Sequence, residues 1–202
     1  MDLTKIHLSE EEFVLVQNAE VLLTKQRIIG KVYQLFGECA ERWKLYFPPQ
    51  TNLPIEISSN HPKISKGEQY HQLPYVMLDY PRYFRKEEVC AIRTFFWWGH
   101  FFSVTLHLKG RWKENFLSAI LRDLPELSAA GFAISSHDDE WNHTLEDQHY
   151  TLLKNVSREE IKNVISRQSF CKIASIVPLA EWKDSYAKLN RLYEVLVNVI
   201  TR

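Results

Sequence analysis

The chain has 202 residues, enough for one domain or two small ones and for burial of about 70% of its unfolded surface. Apolar residues at 45% and charged residues at 25% are ordinary globular usage and argue against disorder and low complexity. The 25 basic and 25 acidic residues cancel, so no net field marks a partner in nucleic acid or an anionic membrane.

The opening stretch, MDLTKIHLSEEEF, lacks a charged region followed by an apolar run, and no run anywhere approaches the roughly 18 to 20 apolar residues of a membrane span. The expectation is a cytoplasmic protein with no membrane partner. Ser9 and Glu12 form a capping box, the hydroxyl taking an orphan backbone N–H and the carboxylate reaching back to the cap amide. Phe13, Val16, Ala19 and Leu23 then make one apolar helical face. A second helical pattern follows in Ile28, Val32, Leu35, Cys39, Trp43 and Tyr46, stopped by Pro48 and Pro49, which lack the N–H a helix needs. The two read equally as one long bent helix or an antiparallel pair.

Pro48 to Gln72 reads as a long connection with a short strand at Ile55 to Ile57, either a surface wrap or the cover of a site. Leu73 to Tyr80 is the first clear strand, ended by Pro81. Arg82, Arg85 and Lys86 follow at a corner. They suit a phosphate or carboxylate, or a solvated turn paired with Glu87 and Glu88.

Ala91 to Lys109, AIRTFFWWGHFFSVTLHLK, is the centre of the chain: two β-branched and aromatic runs flank Gly99-His100 as a hairpin with a two-residue turn. In that register Trp98 faces Phe101, Phe96 faces Ser103, Thr94 faces Thr105 and Ile92 faces His107. The other face holds Ala91, Arg93, Phe95, Trp97, Phe102, Val104, Leu106 and Leu108, is drier, and should meet the helices, with Arg93 needing an acidic partner or an exit. The mixed face supplies the ligand-binding candidates Thr94, Phe96, Trp98, Thr105 and His107, where aromatics surround hydroxyls and an imidazole. Burial there would depress the His107 pKa. The competing assignment is a second core layer or a subunit interface. A three-residue turn would flip one strand and mix the two sets.

Helical spacing resumes at Phe116, Leu117, Ile120 and Leu121, broken near Pro125 and closed at Gly131. Phe132 to Ser136 and Tyr150 to Val156 read as strands, Ser157 and Glu160 as a second capping box, and Phe170 to Val177 as the last strand. From about Leu179 a final helix carries Trp182, Tyr186, Leu189, Tyr193, Leu196 and Ile200. That seam suits packing on a sheet first and a dimer helix pair second.

This order predicts a single α+β domain over residues 1–202, with a helical segment 9–47, a sheet-containing part 72–178 and a C-terminal helix 179–201. The sheet is expected to be largely antiparallel, of about five or six strands built around the hairpin, with both terminal helical segments packed on it.

Chemical motifs are sparse. Gly30, Gly37, Gly67, Gly99, Gly110 and Gly131 are too scattered for phosphate-binding loops, and GxSxG, HExxH and paired CxxC are absent. Cys39, Cys90 and Cys171 lie far apart in apolar runs and read as buried thiols. His137 to His149, HDDEWNHTLEDQH, holds two E-x-x-H strings, Glu140 to His143 and Glu146 to His149, adjacent in one segment and so unable to face each other as a dinuclear site requires. Asp139, His143 and Asp147 would align on a helix as a mononuclear site; a solvated acidic segment is the default. No catalytic residue, metal or cofactor is therefore assigned. The expected function is a non-catalytic binding or interaction protein, self-associating as a homo-oligomer through the aromatic sheet face or the C-terminal helix. The alternative is a small-molecule site or enzyme pocket on the mixed face of the hairpin.

Overall fold

The computed structural model describes residues 6–48, 53–145 and 148–202. Pro49, Glu146 and Asp147, named above, lie outside the described residues. Two helices open the chain, α1 (Glu10–Gln17) and α2 (Ala19–Trp43), followed by the short α3 (Ile55–Ser58). Four strands come next: β1 (Lys63–Tyr70), β2 (Leu73–Phe84), β3 (Val89–Trp97) and β4 (Phe101–Lys109). Then follow α4 (Arg111–Arg122), α5 (Leu124–Ala129), β5 (Ala133–Ser135), β6 (Tyr150–Leu152), α6 (Arg158–Arg167), β7 (Phe170–Pro178) and α7 (Ser185–Thr201).

The fold is α+β, as the order of elements implies, and the seven strands among the described residues form one antiparallel sheet in the order β1-β2-β3-β4-β7-β5-β6. The strand beyond the expected five or six is β1. Its sequence KISKGEQY has little apolar alternation because it is an edge strand with no buried residue, so no hydrophobic period advertises it. Ile55 to Ile57, expected as a strand, is the helix α3, with Ile57 buried. β2 runs on past Pro81 to Phe84, through a cis Tyr80-Pro81 bond and a shift of register between Asp79 and Arg82.

The hairpin register also differs from expectation. Trp97 pairs with Phe101 and Phe96 with Phe102, so the turn is Trp98-Gly99-His100. Gly99 takes φ 78, His100 donates its amide to the Trp97 carbonyl at 3.1 Å, and the His100 ring stacks on Trp97 at 3.6 Å. One extra turn residue reverses one strand relative to the other. Cys90, Ile92, Thr94 and Phe96 therefore share a face with Phe102, Val104, Leu106 and Leu108. Ala91, Arg93, Phe95 and Trp97 share the opposite face with Phe101, Ser103, Thr105 and His107.

The first of these faces carries the main core. Against it lie α2, α4 and α7, with α6 on α4 and α5 on α7. The C-terminal helix packs through the inner part of its seam: Leu189, Tyr193, Leu196 and Ile200 are buried, whereas Tyr186 is exposed and Trp182 lies in a 3-10 segment, Leu179–Asp184, before the helix begins. It is locked to α2 where Trp43 stacks on Tyr193 with ring centroids 3.8 Å apart and donates its indole N–H to Asn190 Oδ1 at 2.8 Å. Both capping boxes form, at Ser9 with Glu12 and at Ser157 with Glu160. Among the described residues no helix is long and apolar enough to cross a membrane.

Candidate functional site

Two features stand out from this frame, a polar layer on the sheet face away from the helices and an apolar arm at the N-terminal end of α2.

The polar layer begins as cross-strand geometry. Asp79 on β2 lies opposite Arg93 on β3, and His107 on β4 lies opposite Lys172 on β7. A charge inside a strand must find a partner or neutralise, and here residues 136–145 fold across the face to supply partners. Arg93 forms a two-pronged pair with Asp79 at 2.7 and 3.0 Å, and its guanidinium lies 5.3 and 5.9 Å from the ring centroids of Phe84 and Trp141. Its remaining nitrogen lies 3.0 Å from His143 Nε2. Arginine only donates, so that Nε2 accepts and the His143 proton sits on Nδ1. Glu140 brings its carboxylate between Lys109 Nζ at 2.8 Å and His107 Nε2 at 3.2 Å. Lys172 donates to the Glu140 carbonyl at 3.1 Å and to that of Asn142.

Burial sets the electrostatics. His107 is held well below its ordinary pKa by desolvation and by the charges of Lys172, Arg93 and Lys109. His143 is depressed in the same way, by desolvation and then by Lys172, Arg93 and His107. Burial, followed by the Arg93 charge, brings the Lys172 ammonium down to about 7, with Asp139 and Glu140 pulling against that shift. The contact of His107 with Glu140 is thus a neutral imidazole N–H donating to a carboxylate.

The five ligand-binding candidates from the sequence are separated by the true register. Thr105 and His107 face the polar layer; Thr94 and Phe96 face the helices inside the main core; Trp98 lies half-buried in the turn, edge-on to Phe96 at 6.4 Å. His107 hydrogen-bonds to Glu140 and not to a neighbouring hydroxyl, and Asp79 serves Arg93. The segment 137–145 is not helical, so the alignment of Asp139 with His143 does not arise: Asp139 caps the Trp141 amide at 2.8 Å while His143 turns into the sheet. Among the described residues no three His, Cys, Asp or Glu side chains converge as metal ligands. From the sequence Glu140 stands out only as the start of an E-x-x-H string, and Lys172 not at all. A lone lysine in the apolar run FCKIASIV was the available signal for Lys172; Glu140 reaches the layer only through tertiary folding.

The arm is simpler. Phe13, Val14, Leu15 and Val16 are consecutive, so at 100° per residue they wrap most of α1, and α1 buries none of its residues. Ile6, Leu8, Val21, Leu22 and Leu23 are exposed as well, and the first buried side chain of α2 is Ile29. The expected core-facing stripe of Phe13, Val16 and Leu23 is therefore solvent-facing in the single chain. Asn18 joins the helices as a one-residue link, capping α2 through the Glu20 amide at 3.2 Å.

No protein-family model, curated protein or solved structure matches this chain.

Proposed function

We propose that this is a non-catalytic binding protein that self-associates, and that its docking element is the N-terminal helical arm. The observation that carries the reading is the set of exposed apolar side chains between Ile6 and Leu23, centred on Phe13–Val16 of α1, a helix with no buried residue of its own, and continued by Val21, Leu22 and Leu23 at the start of α2. Contiguous exposed apolar surface of this kind marks an interaction site. The C-terminal helix, the other surface considered, contributes its apolar seam to the core, and the aromatic hairpin face is overlaid by residues 136–145. Three buried thiols, Cys39, Cys90 and Cys171, are consistent with a reducing, cytoplasmic setting. Sedimentation velocity at micromolar concentration tests the reading. The wild type should run heavier than its 23.9 kDa monomer, and Phe13→Asp combined with Leu22→Asp should run as a monomer with an unchanged thermal midpoint. A wild type that stays monomeric at every concentration defeats it.

A second reading, a small-ligand site on the hairpin, draws on Thr105 and His107, which share a sheet face with Lys172 beneath residues 136–145. It requires residues 136–145 to lift, exposing Thr105, His107 and Lys172. A small anion at a hundredfold its dissociation constant would then add about 2.7 kcal/mol to stability. No change in thermal midpoint across carboxylates and phosphates removes this reading.

A further inference from the structure

A cleft that α1 of the same chain cannot fill lies beside the arm. Between α2 and the edge strand β1 runs this cleft of ≈ 600 Å³, floored by Leu22, Ile29 and Tyr33 and rimmed by Lys25, Lys66 and Glu68. Gly30 lines it, and a Cβ built there meets nothing within 4 Å, so the space above this helix is open. Glycine inside a helix costs about 1 kcal/mol relative to alanine. The arm of the same chain cannot fold back into the cleft, because two antiparallel helices need a connection of about 2–5 residues and α1 is joined to α2 by Asn18 alone.

We infer that the occupant is a second copy of this chain, bound with the two arms antiparallel, so that Ile6, Leu8 and α1 of each copy lie along the first turns of α2 and enter the cleft at Gly30 of the other. This rests on the self-association proposed above. Charge selects the direction. The outer end of the arm carries Glu10, Glu11 and Glu12, and the inner end Lys25, Arg27 and Lys31. Parallel arms would set like charges side by side, whereas antiparallel arms crossing near Asn18 set Glu10 and Glu11 of one copy over Lys25 and Arg27 of the other. In the single chain Lys25 pairs with Glu68 and Arg27 with Glu20, both exposed contacts of the kind worth little and readily exchanged. The acidic outer end also makes an anionic lipid surface a poor occupant.

The test uses three variants of the full chain in sedimentation velocity, with thermal unfolding alongside. Glu10→Lys/Glu11→Lys/Glu12→Lys and Lys25→Glu/Arg27→Glu should each associate at least about tenfold more weakly than wild type, and an equimolar mixture of the two should recover a heterodimer. Gly30→Leu should keep or raise the thermal midpoint while weakening association by a similar factor. A wild-type dimer indifferent to all three variants overturns the antiparallel geometry and leaves self-association standing. A monomeric wild type overturns both. A monomer that floats with zwitterionic vesicles, or dimers whose arm can be cut away without loss of association, assign the arm to another occupant and overturn the inference.

Discussion

Lys172 is the residue on which the polar layer is most exposed to pH. Its folded-state pKa is about 7 against an ordinary 10.5, so between those values the unfolded chain binds the extra proton and stability rises with pH. His107 and His143, depressed by burial, act in the same sense, since the unfolded chain protonates them first as pH falls through 6.5. The thiols oppose this at the alkaline end: burial raises Cys39 and Cys171 to about 12, so above 9 it is the unfolded chain that ionises. The thermal midpoint should therefore climb from pH 6 to a maximum near pH 9, roughly where the two tendencies cross. Lys172→Met should flatten the segment from 7 to 9, and an unchanged slope in that variant would falsify the assignment. Asp79 and Arg93 are a buried pair with side chains 9% and 11% exposed. Truncating Arg93 to Ala strands the carboxylate and should cost about 3–5 kcal/mol in urea unfolding, more than the double substitution of both residues to apolar side chains.

At the scale of elements, the two capping boxes make a controlled comparison. Ser157→Ala removes a cap from α6, whose Ile161 and Ile165 are in the core, and should lower global stability by about 1 kcal/mol. Ser9→Ala removes the same cap from α1, which buries nothing, so the global midpoint should hold while helicity and association decline. Circular dichroism and sedimentation separate the two outcomes. These caps, the seam of α7 and the strands of the hairpin were readable because each is a local pattern of spacing and hydrogen-bonding chemistry. The hairpin register was not, because Trp98-Gly99-His100 and Gly99-His100 are both acceptable turns and one residue of difference exchanges the faces of a whole strand. For the same reason Thr94 and Phe96 parted from Thr105 and His107. β1 was hidden by its edge position, where Lys63, Lys66 and Glu68 face water; Gly67 alone hinted at crowding, since a Cβ there would stand 2.5 Å from the Tyr75 ring. The arm misled in the opposite way, because periodicity reports an apolar face without reporting what covers it.

Across the whole molecule, stability is concentrated where α2, α4 and α7 meet the central strands β3 and β4. Amide exchange should be slowest in β3, β4 and the inner part of α2, and close to unprotected in α1 at low protein concentration. Raising the concentration into the associated range should protect α1 without altering the strands. One further consequence follows from the long α2. From Ala19 to Ile29 it rises about 15 Å before its first buried side chain, as a single uninterrupted helix. It therefore behaves as a strut, and any assembly joined at its tip holds the two sheets apart by a length counted in residues. Removing four residues from that stretch should bring each body in by about 6 Å and swing it through about 40°, a change that small-angle scattering can read directly.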